Sequence, residues 1–233
     1  MSAQVQRMFS AIAPRYDVAN EVLSLGVHRR WRARAVKLAG VRDGQAVLDC
    51  ATGTGDLAFA LKRAVGPAGR VVGTDFCEEM LAEAPRKAER MGLDVKFEVA
   101  DALALPYPDG LFDASSIAFG IRNVDDPVRC LREMARVVKP GGRVVVLEFG
   151  QPGGLFGVLF RFYGRTVMPA VGALLTGQRA AYESLPRTAA AFPAGERFLG
   201  LMDEAGVFSS RAAHPLTFGV AYAYVGTVKP AGT

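Results

Sequence analysis

The sequence predicts an α/β fold: a doubly wound, mostly parallel seven-stranded sheet of Rossmann-like type, with an N-terminal helical lid and a helical insertion before the last two strands. Three observations carry this reading. Short runs rich in Val, Phe and Ile recur at a regular interval, helical patterns fall between them, and Gly/Pro turn sequences sit where those helices must stop. Such alternation places helices on both faces of a parallel sheet.

Taken in order, strands are expected over Ala46–Cys50, Arg70–Thr74, Val95–Val99, Leu111–Ala118 and Arg143–Phe149, with helices over Leu57–Val65, Glu78–Met91 and Pro127–Val138. Gly66-Pro67-Ala68-Gly69 and Lys139-Pro140-Gly141-Gly142 read as turns. After Gly150 the rhythm changes, and Gly153 to Arg179 reads as a helical insertion. The alternation resumes with a helix over Glu196–Ala205 and strands over Val207–Ala213 and Leu216–Val228, with His214-Pro215 as the turn between them.

A chain of 233 residues suits one cored domain with an appendage better than two independent domains. The net charge of +5 is spread along the chain without an aromatic-interleaved basic block, which argues against nucleic acid as partner. Cys50, Cys77 and Cys130 are widely spaced and odd in number, so neither a zinc site nor a disulfide framework is expected and the metal assignment is none. Met1 to Asn20 lacks the pattern of a signal peptide, giving a cytoplasmic expectation. Gly153 to Gly177 is apolar but interrupted by Arg161, Arg165 and Pro169, so no uninterrupted span of about 20 apolar residues is expected to cross a membrane.

The chemistry concentrates at strand ends. Asp49-Cys50-Ala51-Thr52-Gly53-Thr54-Gly55-Asp56 leaves the first strand as a glycine turn, with Gly53 and Gly55 letting backbone approach a ligand at the carboxyl edge of the sheet. Asp75 closes the second strand, where a carboxylate accepts ribose hydroxyls. Asp101, followed by Ala102, closes the third, beside the place an adenine would take. The turn also fits a dinucleotide pattern, but a pyrophosphate there would meet the charge of Asp56 at the helix start. S-adenosylmethionine carries no phosphate, and Asp49 and Asp56 could face its positive methionine end. The cofactor reading is therefore S-adenosylmethionine, with a nicotinamide-dependent oxidoreductase as the distant alternative.

With these residues in hand, the chain resembles class I methyltransferases and, more narrowly, the ubiquinone/menaquinone biosynthesis C-methyltransferases, the UbiE/MenG group. The resemblance rests on Val5 to Ser10, Ala13 to Asp17, Asn20 to Gly26 and Trp31, on Phe119-Gly120-Ile121-Arg122-Asn123-Val124, and on Val137 to Arg143 with Leu147-Glu148-Phe149. It implies methylation of a ring carbon in a prenylated hydroquinone, with cofactor contacts at Thr54, Asp75 and the Asp101-Ala102 pair. Ala118 departs from relatives that carry Ser there. A small-molecule O- or N-methyltransferase is the nearer alternative.

A ring carbon is a weak nucleophile until a neighbouring hydroxyl ionises, so the site needs a base or a cation there. Arg122 is the expected cation and Asn123 a donor to a quinol oxygen, with a structural ion pair to Asp125 or Asp126 and a helix cap as their plainer roles. Tyr16, beside Asp17, is expected in a lid that excludes water. His28 reads as a surface residue. The chain divides into a lid over 1–40, a cofactor-binding core over 41–150, an insertion on the substrate side over 151–195, and closing elements over 196–233. The stretch 153–177 suits an interfacial helix touching anionic lipid, or else a core or homodimer helix.

Overall fold

The computed structural model describes residues 10–230, without the side chains of Pro14 and Arg179. The resemblance noted for Val5 to Phe9 lies outside the described residues. Seven strands form one sheet: β1 (Ala46–Cys50), β2 (Arg70–Asp75), β3 (Lys96–Val99), β4 (Phe112–Ala118), β5 (Val138–Phe149), β6 (Phe208–Leu216) and β7 (Ala221–Val228). Their order is β3-β2-β1-β4-β5-β7-β6, with β7 antiparallel to both neighbours and the rest parallel. Strand order reverses between β1 and β4, which opens the ligand crevice of such sheets at their carboxyl ends.

The strands read as nearly continuous apolar runs because both faces are covered. Leu48, Val72, Ile117 and Val146 fill one core with Leu131 and Met134 of α6 (Pro127–Arg136) and Phe198 and Met202 of α10 (Glu196–Ala205). Their neighbours Val47, Val71, Val145 and Leu147 fill the other, against Trp31 and Ala35 of α2 (Val27–Ala39) and Leu57 and Leu61 of α3 (Asp56–Val65). Of the expected lid, then, Val27–Ala39 lies in the helical layer, while α1 (Tyr16–Ser24) sits elsewhere, as described below.

Several boundaries differ from expectation. Helix Glu78–Met91 divides at Ala82 into α4 (Glu78–Leu81) and α5 (Glu83–Met91), with Pro85 in the first turn of the second. α6 ends at Arg136, and Val138 already pairs with Phe112. The residues 139–142 then bulge out before Arg143 pairs with Ala114, so the expected turn lies inside β5. The last reversal falls at Thr217–Gly219 rather than His214-Pro215; β6 is an edge strand, where a missing N–H can face solvent.

The insertion holds α7 (Gly154–Phe162), a π-turn (Tyr163–Val167), α8 (Met168–Thr176) and α9 (Arg179–Ala191). Contrary to the sequence reading, Gly154–Thr176 is one uninterrupted helix of 23 residues, long and apolar enough by length and composition to cross a membrane, and mostly exposed. Arg161 and Arg165 lie exposed, and the π-turn just ahead of Pro169 absorbs the helical bond its ring removes. α1 packs on this insertion: Ile12, Ala19, Ala181 and Tyr182 form a small separate core with Leu23, Met168 and Leu175. Tyr163 donates to the Leu23 carbonyl at 2.8 Å and Arg15 to that of Leu175 at 2.9 Å. The close approach needs Gly172, where a Cβ would lie 2.2 Å from the Tyr182 ring.

Candidate active site

The chain leaving β1 turns sharply through Ala51, Gly53 and Gly55, at φ of 47°, 57° and 90°. Gly55 caps α3, and a Cβ there would stand 2.7 Å from the Phe59 ring, so only glycine fits. A cavity of about 670 Å³, counted to its open mouth, lies over the ends of β1, β2 and β4; Asp75, Asp101, Ala102 and Asn123 line it. A smaller one of about 330 Å³ is lined by Arg32, Asp49, Thr54 and Asp56. Tyr16, Gly53, Ala51 and Ala118 line both.

Each acid is held differently. Asp75 accepts from the backbone N–H of Gly53 at 2.8 Å and of Cys77 at 2.9 Å. Burial pushes its carboxyl up, and these N–H groups oppose the shift. Asp49, 1% exposed, accepts from the hydroxyls of Thr52 and Ser116 at 2.7 and 2.6 Å. Burial, its largest influence, pushes it to about 6. Asp101 accepts from the Leu103 N–H at 2.9 Å, which fixes the carboxylate at the cavity wall.

Thr54 donates to Asp17 of α1 at 2.6 Å, and Lys87 of α5 binds Asp17 at 2.6 Å and Asp56 at 2.8 Å. Arg32 stands 3.4 Å from Asp56. Asp56 was expected to face the cofactor's positive end; its charge is instead engaged by Lys87 and Arg32. Despite burial, which raises it, these two cations hold its carboxyl below the ordinary range. The repulsion expected against a pyrophosphate is correspondingly weaker. Tyr16, which lines both cavities, and Asp17, bonded to Thr54 and Lys87, thus set α1 against the turn.

Arg122 does not stand free beside the cavity. Its side chain is 3% exposed and its Nη1 lies 2.7 Å from Glu148, not from Asp125 or Asp126. The same nitrogen donates to the Phe119 carbonyl at 2.7 Å, and the guanidinium lies over the Phe149 ring. Phe119 holds a φ of 56°, costly for an aromatic residue and typical of functional turns. Asn123 faces the cavity, while the cap of α6 is made by Asp126. His28 is buried rather than superficial, its Nε2 bonding Glu21 and its Nδ1 accepting from Arg32. His214 lies within β6.

Sequence reasoning missed Lys87, Arg32 and Glu148. Lys87 and Arg32 lie on charge-rich helices that read as solvated. Glu148 left a signal: it is the one acid in the apolar run Val144–Phe149, and a lone carboxylate in a buried strand requires a partner.

A family model for the ubiE/COQ5 methyltransferase family matches residues 1–228. The Ubiquinone/menaquinone biosynthesis C-methyltransferase UbiE of Bdellovibrio bacteriovorus is 54% identical over 226 residues, covering 97% of this chain and 96% of that protein. The demethylmenaquinone methyltransferase of Thermus thermophilus is 54% identical over 220 residues, covering 94% and 99%. Among solved structures, a SAM-dependent methyltransferase from Thermotoga maritima superposes with a TM-score of 0.67 at 20% identity, covering 95% of this chain and 98% of that one, a likeness of fold. On the near-complete match of model and relatives, the chain belongs to the ubiE/COQ5 methyltransferase family.

Proposed function

We infer that this chain is an S-adenosylmethionine-dependent C-methyltransferase of quinone biosynthesis, methylating a ring carbon of demethylmenaquinol to give menaquinol, or of the equivalent ubiquinol precursor. The observation that carries this reading is the cavity flanked by Asp75 and Asp101 at successive strand ends, in a chain 54% identical to a demethylmenaquinone methyltransferase across nearly its whole length. The residues fit the cofactor: glycine-only backbone at Gly55, and two fixed acceptors on one cavity wall, Asp75 for a ribose and Asp101 for an exocyclic amine.

The cofactor supplies an electrophilic methyl on a sulfonium. Asp75, held by two backbone donors, keeps lone pairs for the ribose hydroxyls. Asp101 and Ala102 would take the adenine, Gly53 and Thr54 in the turn leaving β1 would take the methionine end, and ionised Asp49 its ammonium. Tyr16 closes both cavities against water, which keeps a reactive methyl from hydrolysis. Asn123 donates to a quinol oxygen. Arg122 lines neither cavity and is sealed against Glu148, so its part in favouring the ionised ring hydroxyl would run through the Phe119–Asn123 turn, whose Phe119 carbonyl its Nη1 holds.

A prenylated quinol comes from a bilayer, and the exposed helix Gly154–Thr176 offers an apolar face with Arg161 and Arg165 to an anionic membrane surface. The enzyme works at the inner face of that membrane. Incubation with S-adenosylmethionine and demethylmenaquinol should give a product with the new methyl on a ring carbon by NMR; a methyl on oxygen, or no transfer despite cofactor binding, overturns the reading.

A further inference from the structure

Among the described residues the two cavities are lined by four acids, Asp49, Asp56, Asp75 and Asp101, and by a single positive side chain, Arg32. The cofactor ends in an amino acid, so its site must meet an ammonium and a carboxylate together. The acids answer the ammonium and leave the carboxylate to be met by something else. Backbone N–H groups at the start of α3 are one candidate, but they carry no full charge, and Asp56 at that same start, though engaged by Lys87 and Arg32, adds none.

We propose that Arg32 binds the carboxylate of the cofactor's methionine end. It lines the smaller cavity together with Asp49, Gly53 and Thr54, which is where the chain leaving β1 places that end, and it rests on the cofactor reading given above. Its side chain is 11% exposed, so a bond to a carboxylate there is poorly screened. The guanidinium is also held in place. Nη1 donates to the Nδ1 of buried His28, whose Nε2 then donates to Glu21 at 2.9 Å, and Nη2 stands 3.4 Å from Asp56. These contacts cannot exhaust five N–H donors, and the planar fork matches a carboxylate. Because α2 packs on β5 and β7, Arg32 is presented from the helical layer that covers the sheet.

Calorimetric titration with two probes tests this: S-adenosylhomocysteine, and its decarboxylated analogue, which keeps the adenosine, thioether and amine. The wild-type protein should prefer the first by about 30-fold, the worth of one charge-assisted pair. In Arg32→Gln that preference should shrink to about threefold through weaker binding of S-adenosylhomocysteine alone, with Arg32→Lys between the two. Equal wild-type affinity for the two probes overturns the proposal, as does an Arg32→Gln protein that weakens both alike. Failure of the wild-type protein to bind either probe overturns the cofactor site as well.

Discussion

Glu148 Oε1 accepts from Arg122 Nη1 at 2.7 Å, with both side chains sealed at 1% and 3% exposure, while Glu148 Oε2 and Arg122 Nε keep no partner. A buried ion pair with two unsatisfied atoms is poor stabilising material, since well-packed apolar residues serve a core as well or better. Its bond to the Phe119 carbonyl fits a role in holding that strained turn rather than in stabilising the core.

Removing one partner alone strands the other charge. Glu148→Gln should lower unfolding stability by about 3–5 kcal/mol in urea melts. Joint replacement by Leu and Met, Glu148→Leu with Arg122→Met, should recover much of that loss while methyl transfer falls in both variants. Full activity in the double variant would remove Arg122 from the mechanism.

Asp49 should make cofactor binding depend on pH. Burial places its carboxyl at about 6 against an ordinary 3.8. An acid raised in the folded state adds stability in full below its unfolded value, and that contribution is lost as pH rises through about 6. A bound ammonium favours the ionised form, so binding expels the Asp49 proton and affinity should weaken as pH falls below about 6. Titrations at pH 6 in buffers of different ionisation enthalpy should reveal the released proton, and Asp49→Asn should release none.

Asp17 ties α1 to the cofactor turn through Thr54 and Lys87. Asp17→Asn keeps the shape and loses the ion pair. Dissociation of S-adenosylhomocysteine in stopped-flow should speed up by about tenfold, the worth of one charge-assisted bond, with association little changed. An unchanged dissociation rate would mean that α1 is held shut by the Ile12, Ala19 and Tyr182 packing instead.

The alternation of strands and helices was legible because both faces of the sheet are buried, so apolar residues such as Val47 and Leu48 signal the strand whichever core they enter. The acids Asp49, Asp75 and Asp101 were legible because parallel strands place their carboxyl ends in one crevice. Partnerships across long separations were not. Lys87 reaches Asp17 over 70 residues and Arg122 reaches Glu148 over 26, distances set by packing of α5 and by β4 and β5 lying side by side. Helix continuity through Pro169 depended on a π-turn, which no composition announces.

The insertion carries an exposed apolar face: Leu155, Leu159 and Phe162 are 77%, 60% and 65% exposed. Phe218 adds to it, 83% exposed at a φ of 55° and edge-on to Phe156. Replacing Leu155, Leu159 and Phe162 by Ser should weaken co-sedimentation with phosphatidylglycerol vesicles by about tenfold per side chain. Turnover of a short-tailed, water-soluble quinol should be unaffected, because the cavity over β1, β2 and β4 is untouched, while turnover of a long-tailed quinol carried in vesicles should fall. A wild-type protein that stays in the supernatant and sediments as a dimer would assign the same face to a second copy of the chain.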